Sequence, residues 1–323
     1  MRSGWRCGAS NWPQAADILK GLSQAFLARR TRPSFLALVV VFLSVFASLG
    51  CVSQTVKVTP PAATVRTATL DELVERFSAA SSSNSLKSTV LMELSVLNDE
   101  RDSRREFAEL KGAVVGRRPG GIRVVAQVPV TGQRAFDMAS DGDTFRVYLP
   151  WKHLVYEGEN ALDVRSDKRE ENIRPTHVLD PLLIEAPRED ETPVLLNRRE
   201  GRTGYQVLQF LRSKPGGGLW VARAAWYNRA DLSLSRLEIF STEGDIETIA
   251  RYQEWAETDK GLRPSVITVN RPLDGYDLSM RLLTPKWDAP VEQDAFVLEA
   301  PKNVDVVPVG SDVLDDPAAT VGR

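Results

Sequence analysis

The chain is 323 residues long, 42% hydrophobic and 26% charged, an ordinary globular composition with enough length to bury a sizeable core. Its formal net charge of −2 conceals a split: six basic residues and one acidic residue precede Cys51, and the rest carries 35 basic and 42 acidic residues. A mildly acidic body excludes long-range attraction to nucleic acid and broad electrostatic adhesion to anionic lipid, and two cysteines, Cys7 and Cys51, exclude a disulfide framework and a cysteine-based zinc site.

Residues 35–50, FLALVVVFLSVFASLG, are 16 apolar or small residues without a charge, preceded by Arg29, Arg30 and Arg32. A basic flank, an apolar stretch and small residues before a polar sequence are the parts of a secretory signal. The stretch falls short of the roughly 20 residues that span a bilayer comfortably. Ser48-Leu49-Gly50-Cys51 resembles the bacterial lipobox, in which a small residue precedes a lipidated cysteine, with Ser48 where leucine is commonest. The expectation is a signal sequence over 1–50 and a mature N-terminus at Cys51, acylated on its sulfur and its amine. The alternative is an ordinary N-terminal anchor with a chance cysteine at its end. Residues 51–68 contain Pro60 and Pro61 and have no apolar period, so they read as a tether.

The first ordered element is expected near 70–80. Thr69 and Glu72 have capping-box spacing, and Leu70, Leu73, Val74 and Phe77 form one helical stripe. The period then changes to two. Strands are expected around 88–97, 107–114, 122–127, 133–140, 143–149 and 153–157, with turns at Gly120-Gly121 and Asp141-Gly142-Asp143. The charged, proline-bearing stretch 161–203 holds one short helix, Thr176 to Glu185, with Val178, Leu179, Leu182 and Leu183 apolar. A second set of strands follows at 204–213, 218–228, 234–241, 246–256, 261–270 and 275–283. About a dozen strands with few helices predict a mainly β fold, an antiparallel sheet that curls, over 69–300. Residues 301–323 read as a loose acidic tail.

Catalytic signatures are missing. His153 and His177 lack metal spacing and read as surface or satisfied histidines. No GxSxG elbow appears, and Gly216-Gly217-Gly218 reads as a hairpin turn without the Lys-Ser or Lys-Thr of a phosphate loop. The expectation is no enzyme and no cofactor. Trp151, Trp220, Trp226, Trp255 and Trp287 read as core or sheet-face aromatics. Pro129-Val130-Thr131-Gly132 is a loop with an apolar residue inside it, and that valine either folds back on the core or stands out as a tip.

The lipobox, the helix before a strand meander, and the run from Gly121 to Met138 continuing through Asp141-Gly142-Asp143 to Tyr148 resemble the LolA/LolB-like superfamily of bacterial lipoprotein carriers. The resemblance covers roughly residues 68–300. It implies an unclosed barrel with helices over its concave side and an apolar cavity for acyl chains. In the lipid-anchored members a projecting Pro-Leu-Gly loop carries an exposed leucine, and Pro129-Val130-Thr131-Gly132 falls at the matching place. Here valine replaces leucine, one residue is added, and the 161–203 segment is extra. The ligands implied are acyl chains or lipoproteins. The membrane is reached through lipid at Cys51. Val52 and Ser53, with no Asp after the cysteine, imply the outer membrane facing the periplasm ahead of the inner membrane. The alternative, from another class, is a non-catalytic platform for an envelope protein partner, its interior filled by its own side chains. A hydrolase is a distant third.

Overall fold

The computed structural model describes residues 65–98, 103–161, 166 and 169–309. The expected signal sequence, Cys51 and most of the expected tether and tail lie outside them. The described residues belong to one compact unit.

Helix α1 spans Leu70–Ala80. Its capping box forms as the spacing predicts: the Glu72 N–H donates to Thr69 Oγ1 at 3.2 Å, and the Thr69 N–H donates to Glu72 Oε2 at 2.7 Å. Leu73 and Phe77 are buried by the apolar stripe. A meander follows: β1 Ser85–Asn98, β2 Ser103–Arg117, β3 Gly121–Gln127, β4 Arg134–Asp141, β5 Thr144–Leu149 and β6 Leu154–Glu159. Helix α2 is Thr176–Leu182. A second meander runs through β7 Thr192–Glu200, β8 Thr203–Ser213, β9 Leu219–Asn228, β10 Leu234–Phe240, β11 Ile246–Thr258, β12 Gly261–Arg271 and β13 Tyr276–Leu282. Short strands β14, Lys286–Trp287, and β15, Asp305–Pro308, complete the chain.

All fifteen strands form one sheet, ordered β15-β6-β5-β4-β3-β2-β1-β13-β12-β11-β10-β9-β8-β7, with β14 on β1. The order is an open path, so the expected mainly β, unclosed antiparallel sheet is the fold observed. The seam between the meanders is β1 against β13, with Val90 opposite Leu282 and Val96 opposite Tyr276. Pairing is antiparallel throughout except β15, which lies parallel to β6. The turns alternate between two ends. The loop 128–133 shares one end with the turns after β8, β10 and β12. The turns after β7, β9 and β11 lie at the other.

Period-two alternation sets the faces. On β3, Ile122, Val124 and Ala126 enter the core while Arg123 and Val125 face outward. The topology then dictates two crossings. The chain must pass from the β6 edge to the β7 edge, and it does so across the core-side face as the segment bearing α2. After β14 it returns over the outer face of the first meander, where Arg117 donates to Val291 O, Arg123 to Val297 O at 2.9 Å and Arg146 to Leu298 O at 3.0 Å.

Several sequence expectations need correction. The charged stretch 161–203 contains β7, because Pro193-Val194-Leu195-Leu196 has too few alternating apolar residues to betray a strand at a sheet edge. The short helix ends at Leu182, three residues early. Within the expected loose tail, Asp305–Pro308 pair with β6 and Val309 is buried, since an open sheet edge offers unpaired backbone groups. The last tether residues are also docked: the Arg66 N–H donates to Arg229 O at 2.7 Å, and Ala68 exchanges two hydrogen bonds with the Gln206 amide.

Candidate functional site

The interior of the curl is apolar, and α2 stands in it. Val178, Leu179, Leu182 and Leu183 join the same buried cluster as Leu94, Val114, Ile122, Met138, Val147, Ile267 and Leu278. These residues come from both meanders, so α2 is the wedge they share. Close approach needs Gly116 on β2, where a Cβ would stand 3.1 Å from Leu179 Cδ1 and 3.4 Å from Leu183 Cδ1.

Polar groups pin α2 at its margins. Arg118 Nε donates to Leu183 O at 3.0 Å, and its guanidinium pairs with Asp180 at 2.9 Å. The Tyr252 hydroxyl donates to Pro181 O at 3.1 Å. Burial pushes the Tyr252 phenol up, well above the ordinary tyrosine value, so it stays a donor. Beyond the helix, Arg223 donates to Glu185 O at 2.7 Å and stacks on Phe77 and Phe210, with centroids 5.2 and 4.9 Å away. At the other end, His177 Nδ1 lies 3.3 Å from the Tyr276 hydroxyl and 3.9 Å from Asp274.

What remains empty is small. A cavity of about 20 Å3 is lined by Leu94, Phe136, Met138, Val178, Tyr276 and Leu278, among others. That cavity has about one water's worth of space, whereas ligand pockets run roughly 300–1,000 Å3. Among the described residues, the side chains of α2 and of both meanders fill the space around it. A larger hollow, 580 Å3, lies outside, between β4–β6 and the returning C-terminal segment. It is lined by Asp141, Arg146, Glu157 and Glu159 as well as Phe145 and Phe296, and Arg146 pairs with Glu157 at 3.1 Å.

The loop 128–133 is a tight turn. The Gly132 N–H donates to Val128 O at 2.8 Å, Gly132 takes a φ of +66°, and the Val128 N–H donates to Gln133 O at 2.9 Å. Pro129, Thr131 and Gly132 are exposed, and Val130 is 95% exposed. Of the two sequence readings, Val130 adopts the projecting one. Val128 turns back onto the core instead.

The other sequence candidates have local roles. His153 is an exposed cap residue with φ 55°, and among the described residues no group of three or more His, Cys, Asp or Glu is placed to hold a metal. Trp287 is buried, Trp151 and Trp255 pack against the core, and Trp226 Nε1 donates to Glu238 at 2.9 Å. Sequence reasoning found the apolar positions of α2 but not their place in the interior. It missed Tyr276 as a neighbour of that helix, because Tyr276 and His177 are 99 positions apart in the chain.

No family model matches the chain, and no curated protein does. Among solved structures it is similar to a DUF1329 family protein from Desulfovibrio piger, at 11% identity and a TM-score of 0.47, over 71% of this chain and 95% of that one. It is also similar to a LolA superfamily protein from Nitrosomonas europaea, at 14% identity and a TM-score of 0.43, over 72% and 99%. A third is a domain from Vibrio parahaemolyticus assigned to outer membrane lipoprotein sorting, at 13% identity and a TM-score of 0.39, over 70% and 94%.

Proposed function

We propose that this is an envelope protein, anchored by lipid on Cys51, that takes acyl chains of a lipid or lipoprotein into the apolar interior beneath α2. The observation that carries the reading is the manner of closure. The bend of an open sheet is filled by α1 and by the seven-residue α2, not by a second sheet. A helix that short is unstable by itself and holds its form only while packed. Pro181 within it removes one backbone donor, and Pro175 at its start offers no side-chain cap. Displacement of α2 opens a surface lined by Leu, Val, Met and Phe, which suits hydrocarbon and offers acyl chains no polar partner they lack. The exposed Val130 loop provides contact with a membrane or with cargo, at the outer membrane facing the periplasm.

A second reading has one observation in its favour. The interior is filled, which suits a non-catalytic platform for an envelope partner. Binding separates the two. The protein lacking residues 1–51 is titrated with a fluorescent fatty acid and with a diacyl lipopeptide. Saturable binding, released on unfolding, supports uptake. No saturable binding by either probe leaves the platform.

A further inference from the structure

The end of the sheet opposite Val130 carries another hollow, 460 Å3 in volume, where the described chain begins. The β7–β8 turn, the turn after β9 and Val65 enclose it. Arg198, Arg199, Arg202 and Arg229 line it, and no carboxylate does. Arg229 is held in place: Nε donates to Arg66 O at 3.1 Å, Nη2 donates to Thr67 Oγ1 at 2.8 Å, and its backbone N–H donates to Gly204 O at 3.0 Å. Among the described residues, Arg198, Arg199 and Arg202 make no side-chain hydrogen bond or ion pair. The adjacent acid, Glu200, is taken by Arg236 at 2.7 Å.

The turn explains the convergence. Glu200 pairs with Thr203 across Gly201-Arg202, and Gly201 adopts φ +57°. This tight reversal brings Arg202 back beside the strand that carries Arg198 and Arg199. Charged residues on an edge strand discourage pairing with other sheets. That role needs neither a single sign nor a shared hollow. Four arginines and no acid line one hollow, so their like charges favour an anion in it. The planar two-pronged donor of arginine matches the oxygens of a phosphate. The volume falls within the range of small-molecule sites.

We propose that this hollow binds a phosphate-bearing anion, either a lipid headgroup or a soluble phosphate. Thirteen residues, 52–64, separate Cys51 from Val65 at the hollow, and an extended chain over that interval reaches at most about 50 Å. On the lipid-anchor reading, the hollow is therefore tethered within reach of the headgroup layer. The site itself is independent of acyl uptake. The acidic body confines this attraction to one place, in contrast with general adhesion to anionic surfaces.

The test uses the full chain in a neutral detergent, titrated calorimetrically with inorganic phosphate and with short-chain phosphatidic acid below its micelle concentration. Saturable binding is expected, weakened at least tenfold in the double variant Arg199→Gln/Arg202→Gln and unchanged in Lys260→Gln. Tighter binding of phosphatidic acid assigns the site to a headgroup. Equal binding of the two assigns it to a soluble phosphate. Failure of both probes to saturate, or a double variant that melts normally and binds as tightly as the parent, overturns the proposal.

Discussion

Leu179 of α2 lies against Gly116 of β2 so closely that a Cβ on the glycine would stand 3.1 Å from Leu179 Cδ1. The contact couples the seat of α2 to the smallest residue available on the strand beneath it. Gly116→Val is expected to overpack the interior and lower stability by about 1–3 kcal/mol. Adding Leu179→Ala should restore part of that loss, because the two sites share one space. On the uptake reading, the single variant also accelerates entry of a fluorescent fatty acid. Urea unfolding and stopped-flow fluorescence report the two effects. Additive losses in the double variant would show that the contact does not set the position of α2.

Cys51 is the proposed acylation site. Cys51→Ala is expected to abolish metabolic palmitate labelling and to leave an unprocessed precursor. Unchanged labelling would end the lipid-anchor reading.

Val130 is 95% exposed, so it contributes little to the core. Val130→Glu is expected to change stability by no more than about 0.5 kcal/mol. It should reduce transfer of a lipopeptide to liposomes, because a carboxylate at the tip resists entry into an apolar layer. A thermal melt and a transfer assay on the same preparation check both halves. Normal melting with normal transfer would remove the loop from the functional site.

Asp137 on β4 is fully buried on the outer face and is held by Arg123, at 3.1 and 3.0 Å, and by Arg134 at 3.1 Å. Arg123 also donates to Val297 O in the returning C-terminal segment. Arg123→Met leaves the buried carboxylate with one partner and is expected to cost about 3 kcal/mol. Chemical denaturation measures it. A loss below about 1 kcal/mol would mean that Arg134 alone satisfies the carboxylate.

Burial raises the phenols of Tyr227, Tyr252 and Tyr276 above their ordinary value of 10.0. For an acid whose folded value is raised, the stabilisation is fully present below the unfolded value and is lost as pH rises through the folded one. Thermal melts should therefore be insensitive to these residues below pH 10.0 and should fall steeply above it. Phenolate absorbance from all six tyrosines at the ordinary value, without loss of structure, would contradict the burial of these three.

Local chemistry was enough to determine much of this protein from sequence. Thr69 and Glu72 mark the start of α1, period-two apolar runs mark twelve of the strands, and Pro129 to Gly132 mark a loop. Each of these signals acts over a few residues, through backbone hydrogen bonding or side-chain alternation. Tertiary structure decided the rest. The pairing of β1 with β13 joins residues some 190 positions apart, and no local pattern encodes it. β7 and β15 form because sheet edges accept strands whose own apolar pattern is weak. The exposure of Val130 depends on Val128 taking the inward place. The filling of the interior depends on where the chain from β6 to β7 must cross. Four arginines converge only once the turns after β7 and β9 lie side by side. Alternation tells a residue which face it occupies; only the assembled sheet tells it what stands opposite.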